Sequence, residues 1–100
     1  KLTTNGNYAS QVEINFDVGK NNYTKAVAEI KYTADVTWDE WLFQFYGRDS
    51  ENAGVGYLKL TDAPYEGTVE IDLTGEATTI GFSINSGRKM ALEIINLWLE

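Results

Sequence analysis

The stretch Val-Glu-Ile-Asn-Phe-Asp-Val at residues 12–18 decides how this chain folds. Apolar and polar residues alternate along it without a break, and successive side chains of a β-strand point to opposite faces. The pattern therefore predicts a strand with one buried and one solvated face. The same period of two returns at residues 28–32, 43–46, 69–74 and 80–84. We predict an all-β protein with no significant helix.

Polar turns separate the strands along the chain. The predicted turns are 19–22, 49–54, 62–67 and 85–87, and the remaining strands are 55–60 and 89–99. About seven to eight short strands divided by such turns are typical of an antiparallel two-sheet β-sandwich or a barrel. The final strand has marginal helical character, but its Ile94-Ile95 pair favours the extended conformation.

The composition excludes several classes of function. At 100 residues and 43% hydrophobic content, the chain suffices for a single domain, predicted to span residues 1–100. The absence of cysteine and histidine removes disulfides, zinc–thiolate sites, thiol nucleophiles and the commonest general base. A net charge of −7 disfavours nucleic acids and anionic membranes as partners. Because the chain starts at Lys1 rather than methionine, we expect a module excised from a larger multimodular protein.

The three tryptophans are candidates for a ligand-binding surface. Trp38 and Trp41 bracket the acidic pair Asp39-Glu40 in a segment that runs from a loop into a strand. Trp98 lies between two leucines near the end of the last strand, so its indole faces solvent if the leucines face the core. Large apolar rings beside polar groups usually mark a binding surface. Burial in the core, as in immunoglobulin domains, is the alternative for each tryptophan.

Two strands carry polar and aromatic residues opposite their core positions. The strand at 43–46 and its continuation present Gln44, Tyr46 and Arg48, and the last strand presents Asn96 and Trp98. The residues expected to face inward on the last strand are Ile95, Leu97 and Leu99. If both strands belong to one sheet, its open face combines rings, amides and a guanidinium.

A carbohydrate is the ligand that best suits such a face. The C–H surface of a pyranose packs flat on an aromatic ring, and its hydroxyls bond to amide and guanidinium groups at the edge. Stacking on a few rings, less the costs of association, gives dissociation constants of order micromolar to millimolar. The predicted carbohydrate-binding residues are Trp38, Trp41, Trp98, Tyr46, Gln44, Arg48, Tyr57, Asn85 and Asn96.

No catalytic residue and no metal ligand is predicted. Asp39 and Glu40 are adjacent, so on a strand their side chains diverge and do not form the paired carboxylates of a glycosidase. Acids at outward strand positions are typical of a solvated face that discourages aggregation. These acids are Glu13, Asp17, Glu29, Glu70 and Asp72. No cofactor is predicted, although a structural calcium ion held by the 49–52 turn or by Asp35 with Asp39 stays open as an alternative.

The closing segment Leu-Glu-Ile-Ile-Asn-Leu-Trp-Leu at residues 92–99, with the strand-only layout and the acidic, aromatic-rich composition, carries a family resemblance. The chain resembles, over its whole length, the small carbohydrate-binding modules of bacterial plant-cell-wall glycoside hydrolases, often cellulosomal. It departs from them at Ile95, where many such modules carry an acid.

The resemblance implies a secreted, non-catalytic β-jelly roll that targets an attached hydrolase to the plant cell wall. It also implies an open cleft in which tryptophans stack on a β-1,4-glucan, xyloglucan, mixed-linkage glucan or glucomannan chain. The expected partner is a polysaccharide or oligosaccharide, with no nucleic acid and no membrane, and the module is expected to be a monomer within a larger enzyme. The set carried over as the platform is Trp38, Trp41 and Trp98.

A protein-interaction function is the alternative. An immunoglobulin-like or cohesin-like spacer domain of a secreted protein would use the same outward rings as a protein interface, because aromatic residues are enriched there. Its tryptophan fluorescence would respond to a protein partner and not to oligosaccharides.

Overall fold

The computed structural model describes residues 2–5, 10–20, 22–34, 43–60, 65–86 and 89–100. Eight β-strands make up most of this part of the chain, which confirms the all-β prediction. The strands are β1 (Leu2–Asn5), β2 (Ser10–Asp17), β3 (Lys25–Ala34), β4 (Phe43–Arg48), β5 (Gly54–Leu60), β6 (Tyr65–Asp72), β7 (Thr79–Ser86) and β8 (Lys89–Leu99). Among the described residues there is no helix of the length and apolarity needed to cross a membrane.

The strands form two antiparallel four-stranded sheets. Sheet A has the order β1-β8-β3-β6, and sheet B has the order β2-β7-β4-β5. The pairs are nested, since β4 pairs with β5, β3 with β6, β2 with β7 and β1 with β8. Rolling up such a nested hairpin puts successive pairs into alternate sheets. This arrangement is a jelly roll, as the fold-class prediction required.

The inward side chains of both sheets meet in one core built around phenylalanine rings. Phe45 and Phe82 stack with centroids 4.7 Å apart and an interplanar angle of 2°. Phe16 and Phe43 each lie 6.3 Å from Phe82, at interplanar angles of 87° and 45°. These separations fall in the range that aromatic pairs favour. The alternating stretches of the sequence therefore bury one face, as their period predicts, with Phe16 only partly buried on edge strand β2.

The last strand departs from strict alternation at a β-bulge. Asn96 pairs with Glu29, whereas Ile94 pairs with the next residue of β3, so Ile95 is an extra residue in the ladder. Ile95 is 51% exposed, and Ile94 packs against the core in its place. The expectation that Ile95 faces inward with the last two leucines is therefore wrong, because the bulge reverses the parity of the strand at this point.

Gly56 lets edge strand β5 approach β6 closely. A Cβ atom at this position would lie 2.8 Å from the carbonyl oxygen of Asp72 and 3.1 Å from Cδ2 of Leu73. The backbone N–H of Thr74 also donates to the carbonyl of Val55 at 2.8 Å. These contacts hold β5 against the opposite sheet and so fix the position of its outer face.

Tyr32 is fully buried, and its hydroxyl has no hydrogen-bond partner among the described residues. Its ring packs on Phe43 with centroids 5.5 Å apart. Because an unpaired buried hydroxyl is destabilising, Tyr32→Phe is expected to raise the free energy of unfolding by about 1 kcal/mol. Urea denaturation measures this. The matched variant Tyr65→Phe removes a hydroxyl that donates to the carbonyl of Thr68 at 3.0 Å, and it is expected to lower the stability.

The burial of Tyr32 also determines how stability changes at alkaline pH. Loss of contact with water raises the pKa of its hydroxyl above the ordinary value of 10.0. Above pH 10.0 the unfolded chain releases this proton, whereas the folded protein keeps it. The free energy of unfolding is therefore independent of this group below pH 10.0 and falls as the pH rises above that value. Tyr32→Phe should therefore lose less stability than the unmodified chain above that pH. A Tyr32→Phe protein that is less stable at neutral pH would contradict the assignment.

Candidate functional site

The predicted site residues fall on two different sheets. Gln44, Tyr46 and Arg48 lie on β4 and Tyr57 on β5, all in sheet B, whereas Trp98 shares β8 of sheet A with Asn96. The single open face considered above does not form, because the nested pairing sends β4 and β8 into opposite layers. Trp38 and Trp41 lie outside the described residues, as does the side chain of Asn85.

The outer face of sheet B brings together four of the predicted residues. Gln44, Tyr46 and Arg48 alternate with buried Phe43, Phe45 and Gly47 along β4. Tyr57 is the cross-strand partner of Tyr46, and Lys59 is the partner of Gln44. Side chains opposite each other on one face of an antiparallel pair are near neighbours. Strand parity therefore located this group correctly.

Tyr46 crosses the sheet surface instead of standing open to solvent. Its ring lies over Gly81 of β7, where an added Cβ would collide with ring atoms. Its hydroxyl lies 3.0 Å from Oδ1 of Asn15 and 3.3 Å from Oε2 of Glu13, two acceptors on β2. Only 5% of the residue is exposed. Tyr46 thus ties β4 to β2 across β7 and presents little ring surface to a ligand.

The environment keeps the Tyr46 hydroxyl protonated. Burial raises the pKa of Tyr46, and the nearby carboxylate of Glu13 raises it further, while Arg48 acts in the opposite direction. The hydroxyl therefore stays a donor to the two β2 acceptors at neutral pH.

Arg48 lies against the same ring. Its guanidinium carbon is 4.4 Å from the centroid of Tyr46, which is the distance of a cation–π contact. The nearest acids in sequence and register bond elsewhere: Oδ1 of Asp17 accepts from the Gly19 N–H at 3.0 Å, and Oδ1 of Asp49 accepts from the Glu51 and Ala53 N–H groups at 2.9 Å. Within the described part of the chain, Arg48 forms no ion pair.

A half-open groove runs between Arg48 and Tyr57. It has a volume of 240 Å³. Its lining residues are Gln44, Tyr46, Gly47, Arg48, Gly54, Gly56 and Tyr57. Tyr57 is 56% exposed, so its ring forms a free aromatic wall. The groove therefore combines an aromatic face, an amide, a guanidinium and exposed backbone.

Trp98 occupies a separate surface on the outer face of sheet A. Its Nε1–H donates to Oε2 of Glu100 at 2.8 Å, and the residue is 37% exposed. Its cross-strand neighbour Val27 is 3% exposed although it points outward, which indicates that neighbouring side chains cover it. Asn96 is exposed, and its Oδ1 accepts from the Leu97 N–H at 2.9 Å. Part of the indole is therefore engaged in packing and in a hydrogen bond.

The described residues do not supply a cluster of ligands for the calcium ion considered above. The described residues contain no group of three or more acids, histidines or cysteines placed to hold a metal ion. The Asp49 carboxylate instead caps its own turn, in which Asn52 adopts a φ of 63°. Asp35 and Asp39 lie outside the described residues.

The sequence interpretation missed the support beneath Arg48. The strand pattern predicts that Glu13 is a solvated acid. It is exposed, but together with Asn15 it anchors the Tyr46 hydroxyl. Gly81 makes room for the ring. Gly81 stands at an outward position of its strand, between the outward polar residues Thr79 and Ser83. A glycine at such a position is the sequence feature that indicates a close approach of another group.

Comparison with known proteins adds no relative. A scan against protein-family models finds no match to this chain, and a search of curated proteins finds no significant similarity. The function of the chain is therefore inferred from the geometry of the groove.

Proposed function

We propose that this chain is a non-catalytic carbohydrate-binding module and that its site is the groove on the outer face of sheet B. The observation that carries the proposal is the exposed Tyr57 ring, which lines the same groove as Arg48 and Gln44. A sugar ring stacks on the tyrosine, and its hydroxyls bond to the guanidinium and amide. The proposed ligand is a β-glycan chain, of which the groove holds a short segment.

The energetics fit a weak, reversible binder. Covering one face of a tyrosine ring removes roughly 70 Å² of apolar surface from water, which contributes about 2 kcal/mol. Hydrogen bonds to a charged group contribute about 1.5–3 kcal/mol each. Ordering and association costs offset part of this sum, and dissociation constants of order micromolar to millimolar result. Such strength suits a module that releases and rebinds a polymer.

The biological setting is part of the proposal. The proposed role of the domain is to keep an attached glycoside hydrolase near its insoluble substrate, in a secreted enzyme of the kind found in cellulosomes. Trp38 and Trp41 immediately precede β4 in the chain and stay predicted stacking residues. Tyr46 is assigned a supporting role because its ring is covered.

Tyr57→Ala is expected to weaken glycan binding about tenfold, because the loss of a stacking face is worth roughly 1.4 kcal/mol. Affinity gel electrophoresis with hydroxyethylcellulose, xyloglucan, glucomannan and xylan measures the change. The matched control is Tyr23→Ala, which removes another exposed tyrosine that does not line the groove. If the folded unmodified protein is not retarded by any glycan, the proposal is wrong.

A protein-interaction module is the second candidate. Ile95 and Trp98 expose apolar surface on the outer face of sheet A, away from the groove. Interfaces are enriched in such residues at their centre. For this candidate, Tyr57→Ala would leave partner binding unchanged, whereas Ile95→Ser would weaken it.

A further inference from the structure

Arg48 is a half-buried cation without a carboxylate partner among the described residues. The chain has 15 acidic and 8 basic residues, so an arginine has many potential partners. Asp17 and Asp49, the acids next to it in register or in sequence, are bonded to backbone N–H groups of their own turns. Glu13 bonds to Tyr46 and to the Asn15 amide. None of these three carboxylates forms an ion pair with the Arg48 guanidinium.

The outer face of sheet B separates its charges. Edge strand β2 carries Glu13 and Asp17, whereas β4 and β5 carry Arg48 and Lys59. The outward residues of β7 between them are Thr79, Gly81 and Ser83, all uncharged. Glu13 and Arg48 thus contact the same Tyr46 ring from different strands, the carboxylate at the hydroxyl and the guanidinium over the ring. The guanidinium lines the groove, and the Glu13 carboxylate does not.

The contact with Tyr46 leaves Arg48 ready to bind. A guanidinium placed 4.4 Å from a ring centroid uses its π face and holds its position without engaging its N–H donors in that contact. Those donors match the two oxygens of a carboxylate in a bidentate arrangement. The ring beneath it is itself fixed by the bonds to β2. The arginine is thus pre-organised at the edge of the groove.

We propose that the glycan bound in this groove carries a carboxylate, and that Arg48 recognises a uronic-acid unit while its sugar ring stacks on Tyr57. This inference rests on the proposed carbohydrate binding and narrows its ligand class to acidic glycans. The net charge of −7 opposes the long-range approach of any anion, so the preference for a carboxylate has to come from its direct contact with Arg48. The carboxylate replaces the ion-pair partner that the described residues do not supply.

The test compares two glycans before and after chemical reduction of their carboxyl groups. Glucuronic-acid-substituted xylo-oligosaccharides and oligogalacturonates are titrated into the protein by calorimetry, each beside its carboxyl-reduced form. At least one acidic ligand is expected to bind about tenfold more tightly than its reduced counterpart. Arg48→Gln should abolish that preference. Lys31→Gln, which removes the same charge from the outer face of sheet A, should retain it.

The outcomes separate the two proposals. If the reduced glycans bind as tightly as the acidic ones, or if Arg48→Gln keeps the preference, the uronic-acid inference is overturned while carbohydrate binding stands. If the folded protein binds neither form and no neutral glycan retards it, both proposals fall. Arg48→Lys is expected to keep only part of the preference, because an ammonium lacks the fork geometry. Raising the salt concentration should reduce the preference as well.

Discussion

Phe82→Ala is expected to lower the free energy of unfolding by about 3–5 kcal/mol, the usual cost of truncating a buried phenylalanine. Phe82 is fully buried and stacks on Phe45 at 4.7 Å. It also contacts Phe16 on the edge strand and Phe43 near the opposite end of the core, so one truncation opens a cavity against three rings. Urea denaturation and the melting temperature measure the loss.

The effect is large compared with the total stability of a domain, which is roughly 5–15 kcal/mol. For a domain of this size, each kcal/mol shifts the melting temperature by roughly 4–8 °C. Phe82→Leu is the matched control, because it keeps most of the apolar volume, and it is expected to cost much less. A Phe82→Ala protein within about 1 kcal/mol of the unmodified chain would show that the ring cluster is not the centre of the core.

Gly81→Ala is expected to destabilise the protein by about 2 kcal/mol and to weaken glycan binding about tenfold. The new methyl group would collide with Oδ1 of Asn15 and with the ring of Tyr46. The ring must leave the sheet surface, so its bonds to β2 and its contact with Arg48 are lost. Glycine is otherwise unfavourable in a strand by about 0.5–1 kcal/mol relative to alanine, so a net loss is informative.

Gly54→Ala is the control for stability. A Cβ at Gly54 meets no atom within 4 Å, so this variant should be neutral or slightly stabilising. Chemical denaturation compares the two variants, and affinity electrophoresis follows Gly81→Ala. If Gly81→Ala is as stable as Gly54→Ala, the Tyr46 ring is not packed against β7 as described.

The Phe82 and Gly81 variants test the two faces of sheet B. Phe82 and Gly81 are neighbours on β7, and their side-chain positions face the core and the outer surface. The first tests what holds the sheets together, and the second tests what holds Arg48 in place. If both results are as expected, the groove is supported by β2 and β7 as well as by the strands that line it.

Local alternation predicts the face of a side chain only where the strand is regular, and it does not predict exposure. The pattern around Tyr46 predicts correctly that the residue points away from Phe43 and Phe45. Its burial depends on Gly81 and Asn15, which lie on strands distant in the chain. The same limit applies to Ile95, whose outward position results from a bulge against β3. Packing between strands is not encoded in the period of a single strand.

The all-β class, the core phenylalanines and the solvated acids follow from the chain itself, because the two-residue period of a strand acts between near neighbours in sequence. The division of the candidate residues between two sheets arises only in the folded protein. The nested pairing of the jelly roll sends β4 and β8 to opposite layers, so Trp98 and Arg48 lie on different outer faces. Which strands become neighbours is decided by long-range hydrogen bonding and core packing, and these distant contacts created the groove beside Tyr57.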